Sequence, residues 1–150
     1  GGAVGAGIGN KLDQQAKELR KIAETKRTKH GIVTKLKGDI TFSPGKATVT
    51  SKARKRILKM AKIIKKYPED RLVITGHTDS TGSSTINREL SRKRAYEVKR
   101  IFKKGGVPSK YMKIVGASSK KPLASNKSAK GRSKNRRVEI SISMVKKKKK

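Results

Sequence analysis

The sequence of 150 residues contains no cysteine and no tryptophan, and it has only two histidines, His30 and His77. Without cysteine the chain can form neither a disulfide nor a thiol nucleophile, and two histidines leave few ligands for a metal site. The absence of cysteine fits an oxidising compartment as well as a reducing one. Zinc-finger, P-loop and glycine-rich dinucleotide spacings are also missing. We therefore expect no catalytic activity, no metal and no cofactor.

Acidic residues are scarce, with 10 Asp and Glu against 42 Lys and Arg, which gives a formal net charge of +32. Such a chain attracts polyanions, but charge alone does not select among nucleic acid, anionic lipid and acidic wall polymers. Nucleic-acid binding is weakened as an interpretation because the five aromatic residues include no paired strand aromatics that could stack on bases. A basic nucleic-acid-binding or polyanion-binding protein nevertheless remains the alternative function.

The chain also lacks a long hydrophobic run. Residues 1–9 repeat glycine at the four-residue spacing that lets membrane helices approach closely, yet a membrane span needs about 20 apolar residues. This glycine-rich segment is either the remnant of a longer membrane helix or a flexible leader. Residues 10–30 predict an amphipathic connector helix, because Leu12, Ala16, Leu19 and Ala23 recur at helical spacing. That helix is either a solvated linker or a spacer from a membrane.

Residues 31–144 predict one folded domain. Strands are expected near residues 32–36, 71–75 and 111–116 and in a closing segment where Val138, Ile140 and Ile142 alternate with polar residues. Helices are expected at residues 52–66 and from about residue 86 to Gly105, where glycine ends the second helix. This βαβαββ order predicts an α/β (α+β) two-layer sandwich with both helices on one face of a mixed four-stranded sheet. Residues 145–150 form a lysine tail that we expect to be disordered.

One acidic and one basic residue are placed to meet beside this sheet. Asp79 lies in a loop that follows the strand ending at Thr75, and the helical period puts Arg94 inside the apolar stripe of the next helix, beside Leu90. Asn87 and Ser91 project onto the same inward face. A guanidinium removed from water needs an anion, which could be Asp79, a ligand carboxylate or both. Spacing alone leaves open a plain ion pair that ties the loop to the helix.

The same residues belong to a longer ordered pattern that runs from about residue 32 to residue 142. The pattern resembles the OmpA-like peptidoglycan-binding domain family through Gly76-His77-Thr78-Asp79, Gly82, Asn87, Leu90-Ser91, Arg94-Ala95, Val98, Gly116, Pro122, Asn126, Gly131-Arg132 and Asn135-Arg136-Arg137-Val138-Glu139-Ile140. Many fixed spacings in one order make the resemblance specific. It implies a non-catalytic domain that binds the stem peptide of peptidoglycan through a diamino acid.

The resemblance also implies the roles of individual residues. Asp79 would hold the ammonium group of the diamino acid, and Arg94 its carboxylate, for which a guanidinium has the bidentate geometry. Thr78 and Asn87 are expected to flank them with hydrogen bonds, and Leu90 to form an apolar wall of the pocket.

Two further regions of the resemblance are less regular. In the first loop the family usually has an acid or amide after the phenylalanine, whereas here Ser43 follows Phe42, so both are expected site residues with a reduced share of binding. Arg137 resembles a second family arginine near the site. Its alternative role is to pair, at the start of a strand, with a nearby acid.

By the same resemblance, the protein is expected on the periplasmic side of the cell outer membrane, as a lipoprotein or outer-membrane protein that anchors this membrane to the cell wall. Its expected partners are the peptidoglycan stem peptide and, through the N-terminal segment, the outer membrane. Anionic lipids or wall polymers are expected to contact its lysines. Dedicated binding of nucleic acid is not expected.

Overall fold

The computed structural model describes residues 7–146. The predictions for the lysine tail beyond residue 146 and for the first six residues of the glycine-rich segment lie outside the described residues. In chain order the elements are α1 (Gly7–Arg20), β1 (Glu24–Arg27), β2 (Gly31–Lys37), α2 (Gly38–Thr41), α3 (Ser51–Lys65), β3 (Asp70–His77), α4 (Ser84–Lys104), a 3₁₀ turn (Ser109–Tyr111), β4 (Met112–Gly116), α5 (Ala129–Asn135) and β5 (Arg137–Met144).

The strands form one mixed sheet in the order β1-β2-β5-β3-β4, in which only β3 and β4 run parallel. Alternate residues of the central strands face the helices and are buried, as shown by Ile74 and its register partner Ile140, both at 0 % exposure. Val73, on the opposite face, is 37 % exposed. The predicted α/β sandwich is therefore confirmed, although the sheet has five strands rather than four.

The additional strand corrects the prediction of a single helix over residues 10–30. The helix α1 ends at Arg20, and β1 pairs antiparallel with β2, with Glu24 opposite Lys35 and a contact of 3.2 Å between the hydroxyl oxygens of Thr25 and Thr34. Residues 24–27 are polar and carry no apolar alternation, so only the free edge of β2 makes them a strand. The helix itself packs against the core, because Leu12, Ala16 and Leu19 are at most 2 % exposed.

Helix α4 positions the polar residues beside the end of β3. Its N-cap is Ser83, whose hydroxyl accepts a hydrogen bond from the Ile86 backbone, and its buried face contains Arg94 as well as apolar side chains. The helix approaches β3 closely at Gly76, where an added Cβ atom would lie 2.0 Å from the Ser91 carbonyl oxygen. Because only glycine permits this approach, the first half of α4 lies directly against the loop that carries Asp79.

Two further features position the segments around α3. Thr50 caps this helix, since the Thr50 hydroxyl accepts from the Ala53 backbone at 3.2 Å. Before Phe42 lies the short helix α2, which begins at Gly38 and brings Asp39 to the same edge of the sheet as the end of β3. Within the described part of the chain, no helix combines the length and the apolar character that a membrane span requires.

Candidate functional site

A cavity of about 630 Å³ opens at the edge of the sheet where β3 ends and α4 begins. Its lining residues come from α2 and the following loop, from the β3–α4 loop, from α4 and from the segment around α5. They are Gly38, Asp39, Phe42, Pro44, Gly45, Thr78, Asp79, Thr81, Ile86, Asn87, Leu90, Arg94, Arg132 and Arg136. The cavity thus brings together six of the eight residues that the sequence singled out.

Arg94 is buried at the wall of this cavity, with 4 % of the residue exposed. Its Nε donates to the Lys46 carbonyl oxygen at 2.9 Å, and its guanidinium carbon lies 4.8 Å from the centre of the Phe42 ring. Burial lowers the pKa of Arg94 from its ordinary value, and the charges of Asp39 and Asp79 partly oppose this effect. No carboxylate within residues 7–146 forms an ion pair with Arg94, so its terminal nitrogens can donate to an external anion.

Asp79 makes its ion pair with a different arginine. One carboxylate oxygen accepts from the Thr81 backbone at 2.8 Å, and the other accepts from Nη1 of Arg136 at 2.5 Å. Burial alone would raise the pKa of Asp79, but these hydrogen bonds outweigh it and hold the pKa below its usual value. Asp79 therefore remains ionised at neutral pH, and the alternative of a direct ion pair between Asp79 and Arg94 is not what the structure shows.

Arg136 bridges two carboxylates at the cavity. Its Nε and Nη2 atoms contact the two oxygens of Asp39 at 2.7 and 3.0 Å, and its Nη1 reaches Asp79. The hydrogen bond from Arg136 is the main reason that the pKa of Asp39 is lowered. Sequence reasoning missed Asp39, Arg132 and Arg136 as cavity residues. The available signals were the place of Arg132 and Arg136 in the family pattern and the adjacency of Arg136 to Arg137, since neighbouring side chains of an extended segment point to opposite sides.

Thr78 and Asn87 add polar groups beside the charged ones. The Thr78 hydroxyl is buried and has no hydrogen-bond partner among the described residues, although its backbone N–H donates to the Ser118 carbonyl at 2.9 Å. The Asn87 side-chain amide donates to the backbone oxygen of Asp79 at 3.4 Å. Leu90 is half-buried and forms part of the apolar lining. An unpaired hydroxyl at 5 % exposure is costly unless a ligand or water completes its bonding.

Arg137 and Ser43 do not line the cavity. Arg137 is buried at the start of β5, where its Nε contacts Glu139 at 2.6 Å and its terminal nitrogens donate to the carbonyl oxygens of Asn135 and Lys121. This is the pairing that the sequence left open as the alternative role of Arg137. Ser43 uses its backbone N–H to close the loop onto the Thr48 carbonyl at 3.0 Å. The next two residues, Pro44 and Gly45, line the cavity instead.

Over residues 7–146 no three His, Asp or Glu side chains are grouped so that they could hold a metal ion. His77 ends β3, is 4 % exposed, and has its pKa lowered to about 4 by burial and by the nearby positive charge of Arg137. It is therefore a neutral buried side chain at physiological pH. The cavity itself is lined by both a carboxylate, Asp79, and a guanidinium, Arg94.

Curated proteins with similar sequences include a lipoprotein and a peptidoglycan-binding protein. "Probable lipoprotein YiaD" of Escherichia coli is 33 % identical over 145 residues, which cover 93 % of this chain and 66 % of that protein. "Peptidoglycan-binding protein ArfA" of Mycobacterium tuberculosis is 38 % identical over 105 residues, covering 70 % of this chain and 32 % of that protein. The chain therefore spans less than two thirds of the length of these curated relatives.

Among solved structures, the cell wall anchor of the T6SS from Pseudomonas aeruginosa superposes with a TM-score of 0.76 at 27 % identity, covering 92 % of this chain and 97 % of that one. A periplasmic domain of Helicobacter pylori MotB superposes with a TM-score of 0.73 at 28 % identity, covering 81 % and 88 % of the two chains. The model of the OmpA family matches residues 41–136, which include the loop with Asp79, all of α4 and the arginine that bridges Asp39 to Asp79. The chain belongs to the OmpA family.

Proposed function

We propose that the protein binds peptidoglycan without cleaving it, that the cavity holds the diamino acid of the stem peptide, and that this contact anchors the outer membrane to the cell wall. One observation carries the proposal: the buried guanidinium of Arg94 has no carboxylate partner among the described residues, while ionised Asp79 lines the same cavity. The names of relatives support it, since they include a peptidoglycan-binding protein and a cell wall anchor.

A diamino acid matches the lining group by group. The terminal nitrogens of Arg94, which form no ion pair within residues 7–146, can donate to its carboxylate in a bidentate arrangement, and the Oδ1 atom of Asp79, which accepts from the Thr81 backbone, can also accept from its ammonium group. The unpaired Thr78 hydroxyl lies at the same wall. Phe42 and Leu90 offer apolar surface for the methylene groups of the ligand.

The electrostatics of the cavity favour binding over catalysis. A general acid or base needs a pKa close to the working pH. Arg136 holds the pKa of Asp39 below its usual range, and hydrogen bonds from Thr81 and Arg136 do the same for Asp79 despite its burial. Both carboxylates therefore stay charged and act as fixed acceptors.

The location that suits this role is the periplasmic side of the outer membrane, with the N-terminal segment directed to that membrane.

Retention on purified sacculi tests the proposal directly. Arg94→Ala and Asp79→Ala should each lower retention of the full chain at least tenfold, because truncating one partner of a buried charged contact costs about 2–5 kcal/mol. The assay should contain about 500 mM NaCl, which screens exposed lysines but affects a buried contact much less.

Arg88→Ala is the matched control for the Arg94 variant. Arg88 is exposed on the same helix, so this variant loses the same charge without altering the cavity, and it should bind normally. Retention of both Arg94→Ala and Asp79→Ala at wild-type level would refute the site. Binding to duplex DNA should disappear at this salt concentration, whereas DNA retention equal to sacculus retention would favour a polyanion-binding function.

A further inference from the structure

The end of the domain opposite the cavity carries a different kind of surface. Strand β3 begins there at Asp70, paired with Met144, and finishes at the cavity end at His77, paired with Arg137. Since β3 has eight residues, the two ends lie roughly 25 Å apart. The far end is formed by the β1–β2 turn, the C-terminal ends of α3 and α4, the turn before β4 and the residues after β5.

Six exposed lysines occupy this region, which we call the cationic end. They are Lys29, Lys65, Lys103, Lys104, Lys110 and Lys146. None of the six takes part in an ion pair within the described chain. The end of α3 lies beside the end of α4, because the Lys65 ammonium is 2.9 Å from the point where a Cβ atom at Gly106 would be.

The acidic residues of the cationic end do not neutralise these lysines. Glu69 contacts Lys11 at 2.6 Å, and Glu18 accepts from Lys66 and from the Tyr67 hydroxyl. Asp70 is only 3 % exposed. Among the described residues no carboxylate is paired with any of the six lysines, in contrast to the cavity end, where Arg136 is shared by two carboxylates.

The shape of the cationic end selects among anionic partners. None of its six lysines lines the cavity beside Arg94 or the four other well-formed cavities that lie within residues 7–146. Of its two tyrosines, Tyr67 donates to Glu18, and the Tyr111 ring is covered by Arg71 at 3.6 Å and approached by Lys110 at 5.2 Å, so Tyr111 is not free to stack on a base. Exposed lysines that lie outside these cavities match a planar array of negative charge.

We propose that the cationic end docks on the surface of an anionic lipid bilayer. Each lysine near such a surface contributes to attraction, and the attraction fades within a Debye length. A bilayer bound at this end leaves the cavity pointing away from the lipid at the other end of β3. The protein can then contact a membrane and a second ligand at the same time. The two contacts use different residues and different kinds of interaction.

Co-sedimentation of the full chain with vesicles tests this surface. The probe is a phosphatidylcholine vesicle with about 30 % phosphatidylglycerol, at about 50 mM NaCl. One variant replaces four lysines of the cationic end by glutamine, at positions Lys65, Lys103, Lys104 and Lys110. A matched variant replaces four exposed lysines elsewhere on the same helices, at positions Lys52, Lys55, Lys59 and Lys93. Both keep residues 146–150 and have the same net charge.

The two variants should differ strongly. The cationic-end variant should lose roughly 100-fold in vesicle partitioning, and the matched variant less than about threefold, because only lysines close to the lipid contribute. Both should keep the wild-type thermal midpoint and normal sacculus retention at high salt, so a failure here is distinguishable from a failure of the cavity assignment. Equal losses in the two variants would overturn the proposal, as would wild-type binding to duplex DNA that exceeds vesicle binding and shows the same lysine dependence.

Discussion

The two ends of the sheet use positive charge in opposite ways. At the cavity end, Arg94 is buried and Arg136 is held by two carboxylates, so each guanidinium group is kept in one orientation. At the cationic end, Lys65 and its neighbours are exposed and unpaired among the described residues. Oriented buried charge can discriminate one ligand from another, whereas exposed charge attracts any polyanion and is weakened by salt. The net charge of +32 therefore says little about specificity until burial is known.

The largest effect is expected where α4 touches β3 at the cavity end. Gly76→Ala would place a Cβ atom 2.0 Å from the Ser91 carbonyl oxygen, so helix and strand must separate, at a cost of about 3 kcal/mol in unfolding free energy. Chemical denaturation measures the change. Gly9→Ala in α1 is the control, because its new Cβ atom has no neighbour within 4 Å and should cost nothing. Equal stability of the two variants would show that the approach of α4 is not constrained.

A pH-dependent effect is expected at the cationic end. Burial raises the pKa of Asp70 to about 7, against a hydrogen bond from Gln15, while Glu69 raises it and Arg71 lowers it. Because the folded state then binds more protons than the unfolded chain between about pH 4 and pH 7, stability falls as pH rises through this window. Asp70→Asn keeps an oxygen for Gln15 but cannot ionise. Its unfolding free energy relative to wild type should rise by about 2 kcal/mol over the window.

Thermal or urea unfolding of both proteins at several pH values gives this difference directly. Comparing the variant with wild type cancels the self-repulsion of the other charges, which is common to both proteins. A constant difference from acid to neutral pH would mean that Asp70 titrates normally in the folded protein.

A smaller effect is expected for the arginine that links the two carboxylates of the cavity. Arg136→Gln removes the guanidinium from Asp39 and Asp79, so the pKa of both carboxyl groups should rise, and sacculus retention at high salt should fall about tenfold. Carbon-detected NMR titration of the carboxyl groups checks the pKa change. Arg132→Gln is the control, because Arg132 lines the same cavity but its side chain donates to the Asn126 carbonyl and forms no ion pair within residues 7–146. An unchanged titration of Asp79 would contradict the bridge.

The smallest effect is expected for a single lysine of the cationic end. Lys29→Gln alters an exposed side chain with no ion pair among the described residues, so the unfolding free energy should change by less than about 0.5 kcal/mol. Denaturant unfolding at neutral pH measures it. A loss comparable to that of Gly76→Ala would mean that this lysine has a structural role, and the contrast between the two ends would fail.

The sequence alone determined the elements whose side chains repeat with a clear period. The stripe of α4 placed Arg94 on the inward face, and the alternation of β5 placed Ile140 in the core, because burial of apolar side chains fixes which way an amphipathic segment faces. The loop after β3 then had to bring Asp79 near Arg94. The spacing of two residues within one βα unit is set by the local sequence. Their proximity can therefore be predicted without knowing the contacts that the rest of the chain makes.

Tertiary structure decided what depends on distant segments. Strand β1 exists only because β2 offers it a free edge, and Asp39 meets Arg136 across 97 positions of sequence through the pairing of β2 with β5. Whether Arg136 or Arg137 faces the cavity also depended on where β5 begins, since consecutive side chains of a strand point to opposite faces. Local periodicity carries no information on such contacts, because the energy that fixes them comes from packing between elements.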